Sequence, residues 1–343
     1  MSLRIAVPAA LMIALATSAA QAQTPAPNYH LGPSYPIGGD GGWDYLAIDT
    51  VAHRLFVTRS DRVQVIDEAK GTLLGEIPGL QRGHGVAFAQ DVGKGFATSG
   101  GDSSVMIFDL KTLAVLGRAP AAPDADGIMY DPATKHIVTM NGDAGSASVI
   151  DPVTGTRLAN IDLTGKQEFG VSAGDGNLFI NLEDSAQVVQ VDARRMRVVR
   201  KWSIAPCESP TGLAIDRAHH RLFSVCRNQL MVVSDAQAGK VVATAPIGQG
   251  VDAARFDPAT QLAFASNGEG SITVVREVRP DSVAVVATVP TKRGARTMEI
   301  DLKTHHLFTA TSDFGPPPAP TQDRPRPRPP MIPGSFAVLT VEP

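Results

Sequence analysis

The chain has 343 residues, with 31 basic and 34 acidic side chains and a net charge of −3 near neutral pH. That balance argues against a general nucleic-acid surface, which needs an excess of positive charge. Scarce helix signals, with 32 glycines and 26 prolines scattered as turn punctuation, suit an all-β chain.

Residues 1–22 read as a secretory signal peptide. Met1 to Arg4 give a short positive start, Ile5 to Ala20 an apolar stretch, and Ala20-Gln21-Ala22 a small-x-small cleavage site. No cysteine follows that site, and no other apolar run approaches the ~20 residues of a membrane helix. Loss of this segment removes only Arg4 among the charged residues and leaves a net charge of −4. Residues 23–343 are expected to form one domain.

Tyr29 to Ile37 has the look of a strand, and Leu31 to Ile37 reads as a counterpart of Leu74 to Ile77. Next, a short apolar run recurs seven times. It places Asp44, His84, Asp126, Glu168, Thr211, Asp252 and Arg296 at one equivalent position, 40, 42, 42, 43, 41 and 44 residues apart. The third unit shows the grammar. Gly127 to Tyr130 is followed by the turn Asp131-Pro132-Ala133-Thr134, then the strand His136 to Met140. A turn at Asn141 to Asp143 leads to Ser148 to Ile150, a turn at Asp151 to Gly155, and the strand Arg157 to Leu163. Four short strands per ~42 residues, seven times over, predict a seven-bladed β-propeller of four-stranded antiparallel blades.

In the fifth unit, Cys207 precedes the first strand and Cys226 ends the second. Antiparallel order puts both near one mouth, so a disulfide is expected. The seventh unit stops after its third strand, Ser335 to Val341, and the N-terminal strand is expected to supply the fourth. Between Ser312 and Ser335 lies the one large insertion, 313–334. Its nine prolines favour an extended polyproline segment without a core. It carries Arg324, Arg326 and Arg328.

Thr58 in Leu55-Phe56-Val57-Thr58, Thr139-Met140-Asn141-Gly142, Ala265-Ser266-Asn267-Gly268 and the Val-Ile-Asp endings at Asp67 and Asp151 resemble the YVTN repeats of YncE-like bacterial propellers. The resemblance spans residues 28–343. It implies the WD40/YVTN repeat-like superfamily and a secreted protein with a ligand- or DNA-binding role. Ala97-Thr98-Ser99 and Ser224-Val225-Cys226 depart from the family word.

The innermost strand of each blade lines a propeller's central channel, so the seven aligned residues form a ring at one mouth. Like charges that close repel unless a cation or Arg296 compensates. A divalent metal on Asp44, His84, Asp126 and Asp252 is one solution, and a cationic ligand is another. A water-filled acidic funnel is the plain alternative. Trp43, Tyr45 and Phe169 flank ring positions, as do Arg82, Lys166, Arg255 and Arg293.

Three functions follow. The first is a periplasmic binding protein, monomeric, that takes a small molecule or a protein at the funnel through the ring residues. The second is a metal-dependent hydrolase, lactonase or lyase with His84, Glu168 and Arg296 as catalytic candidates. The third is DNA binding through Arg324, Arg326 and Arg328, which the overall charge opposes. No phosphate loop, nucleophile elbow or haem motif is visible.

Overall fold

The computed structural model describes residues 28–321 and 327–343. The signal segment 1–22 and the insertion residues Arg324 and Arg326 lie outside the described residues. Among those described, 28 strands pair into seven four-stranded antiparallel sheets. The chain is a seven-bladed β-propeller. Blades 1 to 6 span 43–78, 83–120, 125–162, 167–203, 210–246 and 251–290.

The last blade joins Met298–Ile300, Leu307–Thr311 and Ala337–Glu342 to the N-terminal strand His30–Pro36. The expected closure is present, with a shifted register. Pro36 faces Ala337 as Pro78 faces Arg62, so Tyr35, rather than Ile37, takes the place of Ile77. The paired strand ends at Pro36, and Ile37 donates its N–H to the Phe336 carbonyl beyond it. Tyr29 reaches blade 6, packing on Phe264 at 5.1 Å, and Tyr35 donates to the Glu68 carbonyl of blade 1 at 3.2 Å. The terminal strand therefore touches both neighbours of its own blade.

Turn chemistry explains the strand boundaries. Asp131 accepts hydrogen bonds from the backbone N–H and hydroxyl of Thr134, and Asp257 and Asp301 accept from Thr260 and Thr304. Such Asx turns offer the chain a local alternative to continuing the ladder. At the other hairpin, Asp67, Asp109, Asp151, Asp192 and Asp235 each cap two backbone N–H groups.

Seven buried apolar clusters fill the seven seams between blades. The core is thus a ring of sandwich interfaces with no single centre. Ala47, Ala87, Ala214 and Ala254 on the innermost strands are buried, and their small size lets the sheets converge on the axis. Gly212 shows how close that approach is. A Cβ there would lie 2.6 Å from the Ala254 nitrogen and 2.7 Å from the Ala253 Cα. Cys207 and Cys226 form the expected disulfide, with Cα atoms 5.4 Å apart.

Candidate functional site

The aligned position owes its geometry to a bulge. In blades 1 to 6 the ladder between first and second strands slips at this point: between Trp43 and Leu46, Gly83 and Val86, Ala125 and Ile128, Gln167 and Gly170, Pro210 and Leu213, and Val251 and Ala253. Bulges free a residue from pairing and re-aim its side chain. Arg296 sits just before the first strand of blade 7.

Hydroxyl and amide side chains then lock five of the seven ring positions to a neighbouring blade. Thr58 bridges the Tyr45 carbonyl at 3.1 Å and the His84 carbonyl at 2.5 Å. Thr98 donates to the Asp126 carbonyl at 2.6 Å and Asn181 to the Thr211 carbonyl at 2.9 Å. Ser266 donates to the Arg296 carbonyl, and Thr297 donates to that of Asp44 at 2.8 Å. A girdle of buried hydrogen bonds thus fixes the ring backbone, while the ring side chains remain free to differ.

Two chains of contact emerge. His84 Nδ1 lies 2.6 Å from Asp44 Oδ2 and 3.5 Å from Asp126 Oδ1. Arg296 donates from Nε to Asp252 Oδ2 at 2.6 Å, and its terminal nitrogen lies 3.5 Å from Asp44 Oδ1. Asp44 joins the two chains. Donor atoms of Asp44, His84 and Asp126 all lie within 4.8 Å of one another, close enough for one metal ion to reach all three. His84 Nε2 and Asp126 Oδ1 are buried and have no hydrogen-bond partner among the described residues. A Cβ at Gly100 would stand 3.1 Å from Nε2, so glycine keeps room beside the imidazole.

Tyr45 and Phe169 cross the axis from blades 1 and 4, their rings 5.1 Å apart. The Arg255 guanidinium lies 5.1 Å from the Phe169 centroid and makes a two-pronged pair with Glu299 at 2.7 and 3.0 Å. These side chains form a floor, so the mouth is a cup. On the far side, a cavity of about 780 Å³ opens among Ile48, Phe88, Tyr130, Ile300 and Lys303.

The cup holds more buried acid than base. Burial, then the charges of Asp252 and Asp126, pushes Glu168 up to about 8. Burial also lifts Asp126 to about 7 and Asp252 to about 6, against the pull of His84 and Arg296 respectively. For His84, burial opposes the charged form, but the Asp44 hydrogen bond and the charges of Asp126 and Asp44 outweigh it and raise the pKa. Tyr45 is raised well above the ordinary phenol range, by burial and then by all four carboxylates. Uncompensated groups of this kind cluster at functional sites.

Not every aligned residue faces the cup. Thr211 is fully buried, and its hydroxyl lies 3.4 Å from the Val225 carbonyl and 3.3 Å from that of Val251. It belongs to the girdle, and the acidic cup is built by the other six. Glu168 makes no hydrogen bond or ion pair to another ring residue among the described residues and couples to them through space. Trp43 packs on Phe314 and Phe336, at the root of the insertion. Arg82 pairs with Asp124, and Lys166 and Arg227 pair with Glu183 at 2.8 and 3.0 Å. Arg293 is exposed. The insertion's base is a short ladder in which Gly315 and Ile332 donate to Pro330 and Asp313. Glu299 and Glu183 went unseen in the sequence, because neither sits at the repeated position.

No protein-family model and no curated protein matches the chain. Solved structures that match include the Kuenenia stuttgartiensis hydrazine synthase, at 15% identity and a TM-score of 0.69. That match covers 78% of this chain and 92% of the other. Likeness at that identity shows the shared propeller fold.

Proposed function

We propose that the protein is an exported binding propeller, of the YVTN type its repeats resemble, whose acidic cup captures a cation. A divalent metal ion held by Asp44, His84 and Asp126 is the ligand that fits best. The observation that carries this reading is the trio of donor groups within 4.8 Å, two of whose buried atoms lack a partner. Imidazole with carboxylates suits borderline and hard divalent ions. Asp252 is the weaker candidate ligand, since Arg296 already neutralises it. The disulfide fits an oxidising compartment such as a Gram-negative periplasm. Among the described residues no helix is long and apolar enough to cross a membrane.

Titration of the mature protein with Mn²⁺ or Zn²⁺ tests the reading. The equivalent bound by the cup should be lost in an Asp126→Asn, His84→Ala variant. Metal uptake unchanged by that pair of substitutions would remove the cup from consideration.

A second reading, metal-assisted hydrolysis, is favoured by Glu168. A carboxyl that stays protonated near neutral pH can act as a general acid. Under it, Glu168→Gln keeps metal affinity but abolishes turnover of lactones or esters. DNA binding through the insertion is opposed by the net charge. Of its three arginines only Arg328, which is exposed, lies among the described residues.

A further inference from the structure

Blade 6 departs from the repeat at the face opposite the cup. Its outer hairpin, Ser271–Arg279 paired with Ser282–Pro290, has nine residues per strand where the other complete blades have five to seven. The hairpin tip leans on blade 5, where Arg221 donates to the Pro280 carbonyl and pairs with Asp235 at 3.0 Å.

The hairpin carries Glu277 at a position that blades 2, 4 and 5 fill with apolar residues. Its N–H bonds the Gln261 carbonyl at 2.9 Å, just as Leu110, Ala193 and Ala236 bond Gly93, Gly176 and His220 in blades 2, 4 and 5. Those three are buried, and so is Glu277, whose side chain is 1% exposed. Neither Glu277 oxygen accepts a hydrogen bond from an N–H or hydroxyl group among the described residues, and the Asp216 carboxyl is in hydrogen-bond reach of it. A buried carboxylate left unpaired costs several kcal/mol unless it is neutralised. Burial, then the charge of Asp216 and a hydrogen bond shared with its carboxyl, push it up to about 8.

Glu277 points at two residues of blade 5. Asp216 ends the first strand (Pro210–Asp216) and is 1% exposed; its Oδ1 accepts from the Ala218 N–H. Its Oδ2 lies 2.5 Å from His219 Nδ1, and His219 Nδ1 lies 3.6 Å from Glu277 Oε1. One donor atom from each residue falls within 4.8 Å of the others. The imidazole is 42% exposed, so it can swing and leave room for water at the remaining coordination positions.

We infer that Asp216, His219 and Glu277 form a second divalent-cation site, of a borderline ion such as Zn²⁺, clamped between blades 5 and 6. One imidazole and two carboxylates with open solvent positions match the three-ligand pattern of such ions. Binding lengthens the His219–Asp216 contact, since ligands ~2.0–2.2 Å from a tetrahedral centre stand roughly 3.3–3.5 Å apart. Blade 1 provides the internal comparison. Glu68 occupies the equivalent position, couples to Asp301 and has His53 at 3.7 Å, but Asp301 accepts from Thr304 where Asp216 meets His219, and no three-donor group closes there among the described residues. The extra hairpin length, and His219 where the turn facing Glu68 has Thr304, distinguish blade 6.

Calorimetric titration of the mature chain with Zn²⁺, with melting temperature as a parallel readout, tests the site. His219→Ala and Glu277→Ala should each remove one equivalent of zinc and most of the zinc-induced rise in melting temperature. Glu277→Ala should fold well and melt higher than wild type without metal, because blades 4 and 5 already carry alanine there. The His84→Ala, Asp126→Asn variant should keep this equivalent, which separates the site from the cup even if the cup binds no metal. Zinc stoichiometry and stabilisation unchanged by His219→Ala and Glu277→Ala, or no zinc bound at micromolar concentration, would overturn the inference. So would an effect of Glu277→Ala confined to flattening the pH dependence of stability, the signature of a carboxyl pair sharing a proton.

Discussion

Glu168, Asp126 and Asp252 hold their protons to about 8, 7 and 6, respectively. Each is an acid raised above its unfolded range of ~4, so the folded state binds the proton more tightly. Their contribution to stability is therefore greatest at acid pH and is lost as pH rises through those values. His84 is also raised, and its favourable charge is likewise lost as pH rises through its folded pKa. All four groups pull in one direction. We expect the melting temperature to fall between pH 6 and 9, and Glu168→Gln to melt about 2–4 °C above wild type at pH 9. A scan in which Glu168→Gln tracks wild type at every pH would rule this out. Cation affinity should rise over the same window, because binding displaces protons.

At the scale of the strand, most of the ring was legible in the sequence because the bulge recurs with the repeat. Direction was less so, since a repeat marks a position and says nothing of what its side chain meets. Thr211 carries the aligned place but bonds backbone carbonyls on both sides. Tyr45 and Phe169 were visible as neighbours of the ring, yet their meeting across the axis depends on blades 1 and 4 being opposed. Glu277 escaped notice because its partners lie on another blade. Gly212 follows Thr211 directly and is where two inner strands nearly touch. Gly212→Ala should cost about 2 kcal/mol, read by denaturant unfolding, because backbone must shift to admit the methyl. An unchanged midpoint would show that the strands give way freely.

For the whole molecule, the sequence disclosed blade number, order and closure, because turn chemistry and apolar runs repeat with the period. It disclosed neither the closure register nor the floor of the cup, which arise from packing between distant segments. The closing strand His30–Pro36 bonds the last blade and touches blades 1 and 6. Removing residues 23–37 should lower the melting temperature by about 10 °C or more, since it exposes the outer edge of a sheet and opens two seams. A differential scan showing no shift would mean that blade 7 holds without it.

The floor of Tyr45, Phe169, Arg255 and Glu299 has a topological consequence. It divides the axis into two dead-end vestibules, one acidic and one lined mainly by apolar walls. Between them stand a cross-axis aromatic contact and a guanidinium–carboxylate clasp. The protein is therefore two-sided, and molecules docking on opposite faces meet separate chambers and cannot compete for the same one.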